Sequence, residues 1–382
     1  MKAATQERIK VLFVISMFIR MGGAERNLYE LAKNIDKKKF KPYVWVLEGG
    51  PLVDSLIRMG VDARVINLKK VLSLEGIRKG IDLVRFLRRE KVDVIVSYHP
   101  DADVFSCIWG KIGGCRVIVS NRRDMGRDLS KKQIWFYRLM GGLFTQFLSV
   151  CDAVKKEMVE REWRPEEKIK IIYNGVEDRN PSAEGGKREE FKKKYGVNSS
   201  KKVIGVVGRF EPVKGQMNLV EAVKRLTPKH RKFVILCVGY TDSEYFEQVR
   251  TKIEEYNLLD YFVFAGHQED VSPFWDLIDF LVVPSLSEGF SNAILEGMAN
   301  RKSVIAYAVG GNKEAIEDEE TGILIPENNL EALAKAIERL MTDEETRKKM
   351  GEGGYKRMQK FFTMGKMIGE YEKLFQHLRA ET

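Results

Sequence analysis

Cysteine is scarce in this chain: its 382 residues include four, Cys107, Cys115, Cys151 and Cys237, at spacings that match neither a metal site nor a redox pair. No disulfide framework is expected, and reduced thiols in a cytosolic protein follow. Long apolar runs are missing as well. The opening "MKAATQERIKVLFVISMF" has an apolar stretch too short and too β-branched for a signal peptide or a membrane span, and it reads as a first buried strand. No other window is apolar for the length a bilayer requires, so any membrane contact would be peripheral. Internal repeats, low-complexity tracts and recognisable nucleic-acid-binding motifs are absent too.

What is present is length, charge asymmetry and a regular alternation of patterns. The chain is too long for one ordinary core and fits two α/β domains. Its net charge is +10, unevenly shared. Residues 1–175 hold 34 Lys and Arg against 21 Asp and Glu, an excess of +13, while residues 176–382 hold 31 against 34, or −3. The first half therefore faces something anionic, and the negative second half speaks against a nucleic-acid-binding protein.

Short β-branched runs alternate with helical periods, the pattern of parallel strands joined by crossover helices. Candidate strands in the first half are "VLFVIS", "YVWVLE", "ARVINL", "DVIVSY", "RVIVSN" and "QFLSVC"; in the second, "VIGVVGR", "FVILCVG", "YFVFAG", "FLVVPS", "SVIAYA" and "GILIP". Two doubly wound sheets are expected, divided near Asn174 to Arg179, where a Gly-, Ser- and charge-rich linker leads to a short helix. The expected domains are residues 1–175 and 176–360. Residues 361–382 form an amphipathic tail that must find another surface.

Doubly wound sheets bind ligands beyond the carboxyl ends of their strands. Three motifs fall there. In "PSLSEGFSNAILEGMAN" a glycine turn precedes a helix expected to start near Ser291 or Asn292, whose free N–H groups suit an anion. Glu288 lies ahead of that helix, and Glu296 lies four residues after Asn292 on the same face. Glu288 is either a capping carboxylate or a ligand-binding one; Glu296 is either a solvated helix residue or a reader of hydroxyls. In "VVGRFEPVKGQMNLVEAV" a strand ends at Gly208 and Arg209, and a turn presents Lys214: solvated loop cations, or a clamp for a diphosphate. In "MFIRMGGAERNLYELAKNI", Gly22 and Gly23 open a helix after the first strand. His99, in "VSYHPDAD", stands at another strand end and is a further candidate. Asp101 and Asp103 form an Asp-x-Asp, read as the first turn of a helix where acids suit the dipole rather than as a metal site.

These residues carry a resemblance. The chain resembles a retaining glycosyltransferase of the GT-B type in family 4, through "GGAERNLYELA", "IYNGV", "GRFEPVKG" and the Glu288/Glu296 pair, over nearly its whole length. The resemblance implies two Rossmann-like domains facing across a cleft, an acceptor domain first and a donor domain second, with the C-terminal helix crossing back to the first. It implies a nucleotide-sugar donor, a UDP-sugar before a GDP-sugar, and a glycan or lipid-linked acceptor. Arg209 and Lys214 would hold the donor diphosphate, with backbone of Gly23 close to it, and Glu296 would bind the ribose. Glu288, with Gly289, Phe290 and Ser291, would hold the sugar and phosphate. No metal or other cofactor is implied. Family members often carry a His just after the fifth strand of the first domain, where this chain has Asn121, Arg122, Arg123 and Asp124.

Basic, aromatic segments of the first half, "SKKQIWFYRLMGGLF" and "GIRKGIDLVRFLRREKV", fit either contact with an anionic membrane on its cytoplasmic face or ordinary charged helix faces. A nucleotide-sugar epimerase or phosphorylase of the same fold, and a catalytically silent sugar-nucleotide-binding module, are the competing functions.

Overall fold

In the computed structural model, which describes residues 7–179, 192–198 and 200–381, the chain divides into two compact units. One comprises Met1–Asn174 with Gly365–Thr382, the other Gly175–Met364. Most of the expected linker lies outside the described residues.

The first unit is built on seven parallel strands: β1 Ile9–Phe18, β2 Phe40–Gly49, β3 Asp62–Val65, β4 Val94–Tyr98, β5 Val117–Arg122, β6 Gln146–Ser149 and β7 Ile169–Ile171. Their order is β3-β2-β1-β4-β5-β6-β7. Residues Val11 to Ile15 of β1 are wholly buried, as expected of a strand covered by helices on both faces. They pair in register with Val94–Tyr98 on one side, and β1 pairs with β2 on the other. The second unit has six parallel strands: β8 Lys202–Val207, β9 Phe233–Val238, β10 Phe262–Gly266, β11 Phe280–Val283, β12 Val304–Tyr307 and β13 Ile323–Ile325, in the order β10-β9-β8-β11-β12-β13.

Two details depart from the sequence pattern. β7 is not among the expected strands, because three residues, Ile-Lys-Ile, are too few to register as a period. The run "ARVINL" pairs only as far as Val65, and Asn67 then turns left-handed at φ +53°, a conformation Asn tolerates better than most residues.

The tail is the helix Met364–Ala380. It buries Met367, Ile368, Tyr371, Leu374, Phe375 and Leu378, a stripe at helical spacing. Phe375 sits 6.3 Å from the rings of Phe13 and Phe40, so from Gly365 onward this helix is part of the first unit's core. Each such side chain, fully buried, contributes about 1.5–3 kcal/mol. The four cysteines are free and buried. Burial pushes the thiols of Cys107, Cys115 and Cys237 up to about 12, which makes them poor nucleophiles. Among the described residues no helix is long and apolar enough to cross a membrane.

Both strand orders reverse direction once, between β1 and β4 in the first sheet and between β8 and β11 in the second. Beyond the carboxyl ends of those pairs a doubly wound sheet opens a crevice. The candidate residues follow β1, β4, β8 and β11.

Candidate active site

In the second unit the geometry is set by backbone. β8 runs into Gly208, at φ +154°, and then Arg209; β9 runs into Gly239, at φ +157°. A Cβ at Gly239 would lie 1.9 Å from the Gly208 carbonyl oxygen, so the two strand ends come together only because position 239 has no side chain. Arg209 follows that junction. Its guanidinium lies 3.2 Å from Glu211, and its carbonyl accepts a 2.8 Å hydrogen bond from the Gln216 side chain.

The short 3₁₀ turn Pro212–Lys214 ends at Gly215, at φ +65°, which opens the helix Gln216–Leu226. A Cβ there would lie 1.9 Å from the Pro284 carbonyl oxygen. Close by, Leu286 N–H donates to the Val213 carbonyl at 2.8 Å. These contacts latch the loop after β11 onto the turn after β8. They bring Lys214 Nζ to 2.8 Å from Glu288 Oε1, with the two side chains 27% and 10% exposed. In sequence Lys214 and Glu288 belong to separate motifs; the fold makes them an ion pair.

The loop continues under similar control. Gly311 N–H donates to the Gly289 carbonyl at 2.9 Å, and the buried Phe290 ring packs 5.2 Å from Phe362. Ser291, also buried, is the N-cap of the helix Asn292–Ala299, and among the described residues no side chain caps that end. Its first N–H groups are thus available to an anion. Glu296 lies one turn in and is buried, so the reading of it as a solvated helix residue is set aside.

In the first unit, Gly22 caps the helix Gly23–Asn34, and a Cβ at Gly23 would meet open space. His99 caps the helix Pro100–Gly113 at φ +72°, ψ +153°, a region nearly reserved for glycine that costs a side-chain-bearing residue about 1–3 kcal/mol. Its Nε2 lies 3.7 Å from Glu25 Oε1, the two side chains 22% and 14% exposed. Glu25 belongs to "GGAERNLYELA", and its tie to His99 is not visible in the sequence. The helix start is held by a further bond, Ala102 N–H to Ser16 Oγ at 3.1 Å.

Beneath this end lies a buried polar layer. Asn121 Nδ2 donates to the Tyr371 hydroxyl at 2.8 Å, Arg123 donates to it at 3.3 Å, and Tyr371 donates to Asn27 Oδ1 at 3.1 Å. Tyr98 donates to the same Asn27 oxygen at 2.9 Å. Arg123 also bonds the Asn174 side chain. Arg122 lies 3.0 Å from Glu162 and over the Tyr137 ring. The segment Asn121–Arg123, where the resemblance would place a His, is therefore engaged in holding the unit together.

Asp101 and Asp103 both lie in the first turn of the helix Pro100–Gly113, as expected, but they differ in burial. Asp101 is exposed, whereas Asp103 is buried and does not serve merely to complement a dipole. It accepts hydrogen bonds from Ser97 at 2.5 Å, Ser120 at 2.9 Å and Tyr137 at 2.7 Å. Burial raises its pKa above the ordinary carboxylate value, against the pull of Arg122 and the three hydroxyls. Burial raises Glu162 likewise, opposed by Arg122 and Arg164.

Comparison with known proteins agrees with this geometry. A family model described as Glycosyl transferases group 1 matches residues 187–357, and one described as Glycosyltransferase Family 4 matches residues 21–180. The chain is 23% identical over 335 residues to the capsular polysaccharide biosynthesis glycosyltransferase CapM of Staphylococcus aureus, covering 84% of this chain and 86% of that one. It is 23% identical over 350 residues to the UDP-Gal:alpha-D-GlcNAc-diphosphoundecaprenol alpha-1,3-galactosyltransferase of Escherichia coli, covering 89% and 90%. Among solved structures, Anabaena Alr3699/HepE in complex with UDP and glucose matches with a TM-score of 0.85 at 20% identity, over 97% of this chain and 100% of that one. The fold is GT-B, with two Rossmann-like domains, and the chain belongs to the family 4, group 1 type of glycosyltransferases.

Proposed function

We propose that the chain moves a sugar from a nucleotide-sugar donor, a UDP-sugar before a GDP-sugar, to a glycan or lipid-linked acceptor in polysaccharide or glycolipid synthesis, with retention of configuration. The observation that carries this reading is the latch between the turn after β8 and the loop after β11, which forms the Lys214–Glu288 pair just ahead, in the chain, of an uncapped helix start.

In this reading Arg209 and Lys214 hold the donor diphosphate with the N–H groups at Ser291 and Asn292, and Glu296 binds the ribose hydroxyls. Glu288 orients the Lys214 ammonium through one oxygen and accepts from the sugar with its remaining lone pairs. The bond from the anomeric carbon to the diphosphate oxygen breaks, and the acceptor oxygen bonds to the same face. The acceptor proton passes to the leaving phosphate. Two fixed cations offset the charge that grows on the diphosphate, so neither carboxylate needs to act as an acid. No metal is given a role. The choice of UDP draws support from Alr3699/HepE, solved with UDP and with UDP-glucose. The choice of acceptor draws it from the two relatives, one named for capsular polysaccharide and one for a diphosphoundecaprenol substrate.

The proposal includes peripheral contact of the first unit with the cytoplasmic face of an anionic membrane. On the helix Lys131–Met140, Trp135 and Leu139 are 65% and 58% exposed, among Lys131, Lys132 and Arg138. Exposed aromatic and apolar side chains among cations suit such a surface. Sedimentation with anionic vesicles, weakened by salt and by a Lys131, Lys132 and Arg138 triple Ala variant, is the expected behaviour.

The reaction itself is tested by thermal shift and product assay. UDP raises the melting temperature more than GDP does, because it binds the folded state, and turnover of a UDP-sugar requires an acceptor. A melting temperature indifferent to both nucleotides overturns the reading, and conversion of donor without acceptor replaces it with an epimerase.

A further inference from the structure

Away from the strand ends, the first unit has a cavity of about 340 Å³ between its edge strand β3 and the helix Leu74–Glu90. β3 and β2 separate it from β1, where the switch point lies. It is a different place from the candidate active site.

Its walls are aromatic and its rim is cationic. Trp45 and Phe86, both buried, line it. The Arg64 guanidinium lies 5.4 Å from the Trp45 ring and 5.0 Å from the Phe86 ring, and Arg89 lies 5.7 Å from Phe86. Lys79 and Arg85 complete four cations against one lining acid, Asp82. Lys79 has no ion-pair partner among the described residues. Arg64, Arg85 and Arg89 are paired with Asp62, Asp82 and Glu90; the first two are exposed pairs, which hold their partners weakly, and Glu90 is shared with Tyr43 and Lys41.

A second observation is independent of charge. The indole Nε1 of Trp45 is buried with no hydrogen-bond partner. Buried Trp N–H groups usually find an acceptor, because leaving one without a bond is costly. A cavity lined by that residue, rimmed by forked cations and lacking an acceptor of its own for the indole, is complementary to an anion carried on a body that can pack against rings. The volume falls at the small end of ligand sites, about 300–1,000 Å³. It is more than a bare ion needs and suits one ring with a charged substituent.

We propose that this cavity binds an anionic saccharide residue, a single sugar ring bearing a phosphate or a carboxylate. Arg64 grips the anion with its fork, Lys79 and Arg89 add charge, and the unpartnered Trp45 N–H supplies a neutral donor.

The test is Trp fluorescence of the full chain, with saturating UDP present, titrated with glucose 6-phosphate, glucuronate, glucose, inorganic phosphate and phosphatidylglycerol vesicles. Glucose 6-phosphate and glucuronate should give a saturable change that glucose does not give and that Trp45→Phe abolishes. Arg64→Ala should weaken it by about tenfold, with Lys79→Ala, at a half-buried position, as the second variant should the first fail to fold. A response absent for both sugars, or unchanged in the folded Arg variant, overturns the site. Inorganic phosphate binding as tightly as glucose 6-phosphate overturns the saccharide, and a response confined to vesicles assigns the anion to lipid and overturns it too.

Discussion

The two switch points of this molecule present their side chains by different means. After β8 and β11 the chain approaches itself so closely that glycine is required at 215 and 239, and short backbone bonds fix the loops. The charged groups there are few, and a backbone frame holds the loops that carry them. After β1 and β4 the frame is made of side chains: His99 against Glu25, then Tyr98, Asn27, Tyr371, Asn121 and Arg123 in one buried chain of hydrogen bonds. A site framed by backbone tolerates substitution of its charged groups without loss of fold. A site framed by a polar network does not, since each buried group that loses its partner bears its full desolvation cost.

The largest effect is expected where charge is separable from fold. Arg209→Ala and Lys214→Ala should each lower kcat/KM by roughly 10²-fold, as loss of a charge stabilising the departing group does, with the melting temperature nearly unmoved. Steady-state kinetics beside a thermal melt decides. Near-wild-type turnover in both variants would remove the diphosphate clamp, and a collapse in stability would show that the second unit's frame is not backbone alone.

Tyr371→Phe sharpens the contrast from the other side. Removing one hydroxyl takes the acceptor of Asn121 Nδ2, one of several from Arg123, which keeps the Ile172 carbonyl and Asn174, and one donor from Asn27, at a cost of about 1–3 kcal/mol. UDP binding in the second unit should be retained. Chemical denaturation and nucleotide titration of the same variant read the two quantities. A change below a few tenths of a kcal/mol would mean that the network is replaceable.

A smaller effect separates protonation from packing. Asp103 has its pKa raised by burial, so the folded protein binds that proton more tightly than the unfolded chain, whose value is near 3.8. The stability linked to it is fully present below the unfolded value and is lost as pH rises through the higher folded one. Glu162 acts in the same direction from 4.5. Asp103→Asn should remove its share, so the difference in unfolding free energy between variant and wild type should shift in the variant's favour as pH rises across that window. Urea unfolding at several pH values measures it, and parallel profiles would place the titration elsewhere.

The same contrast explains what could be read from the sequence. Arg209, Lys214 and the helix after Ser291 were legible because strand periodicity and glycine turns are local, and local signals place a residue at a strand end. The Lys214–Glu288 pair joins positions 74 residues apart, and the Asn121–Tyr371 bond joins positions 250 apart; no window of sequence spans either. Glu296 read equally well as solvated because helical spacing gives a face without saying what covers it. Asn121, Arg122 and Arg123 looked like a missing catalytic position for a related reason. Their polarity was visible, and the partners that bury them, Tyr371, Glu162 and Asn174, come from distant segments.

The smallest expected effect is that of chelation. An Asp-x-Asp binds a divalent ion when both carboxylates turn to one point, and hard cations need several oxygens around them. Here Asp103 is turned inward to Ser97, Ser120 and Tyr137, while Asp101, two residues earlier on the helix, is exposed. Residues two apart on a helix do not share a face. In the proposed reaction two cations of the second unit, Arg209 and Lys214, would carry the charge that a metal would otherwise supply. We therefore expect turnover to change by less than about twofold in EDTA and in Asp101→Asn. The pairing makes the result informative. Loss of activity in EDTA with an unaffected Asp101→Asn would put a metal at the donor diphosphate and reduce Arg209 and Lys214 to helpers. Loss in both would mean that the first unit binds an ion through a carboxylate that, with Asp103 turned into the core, stands alone.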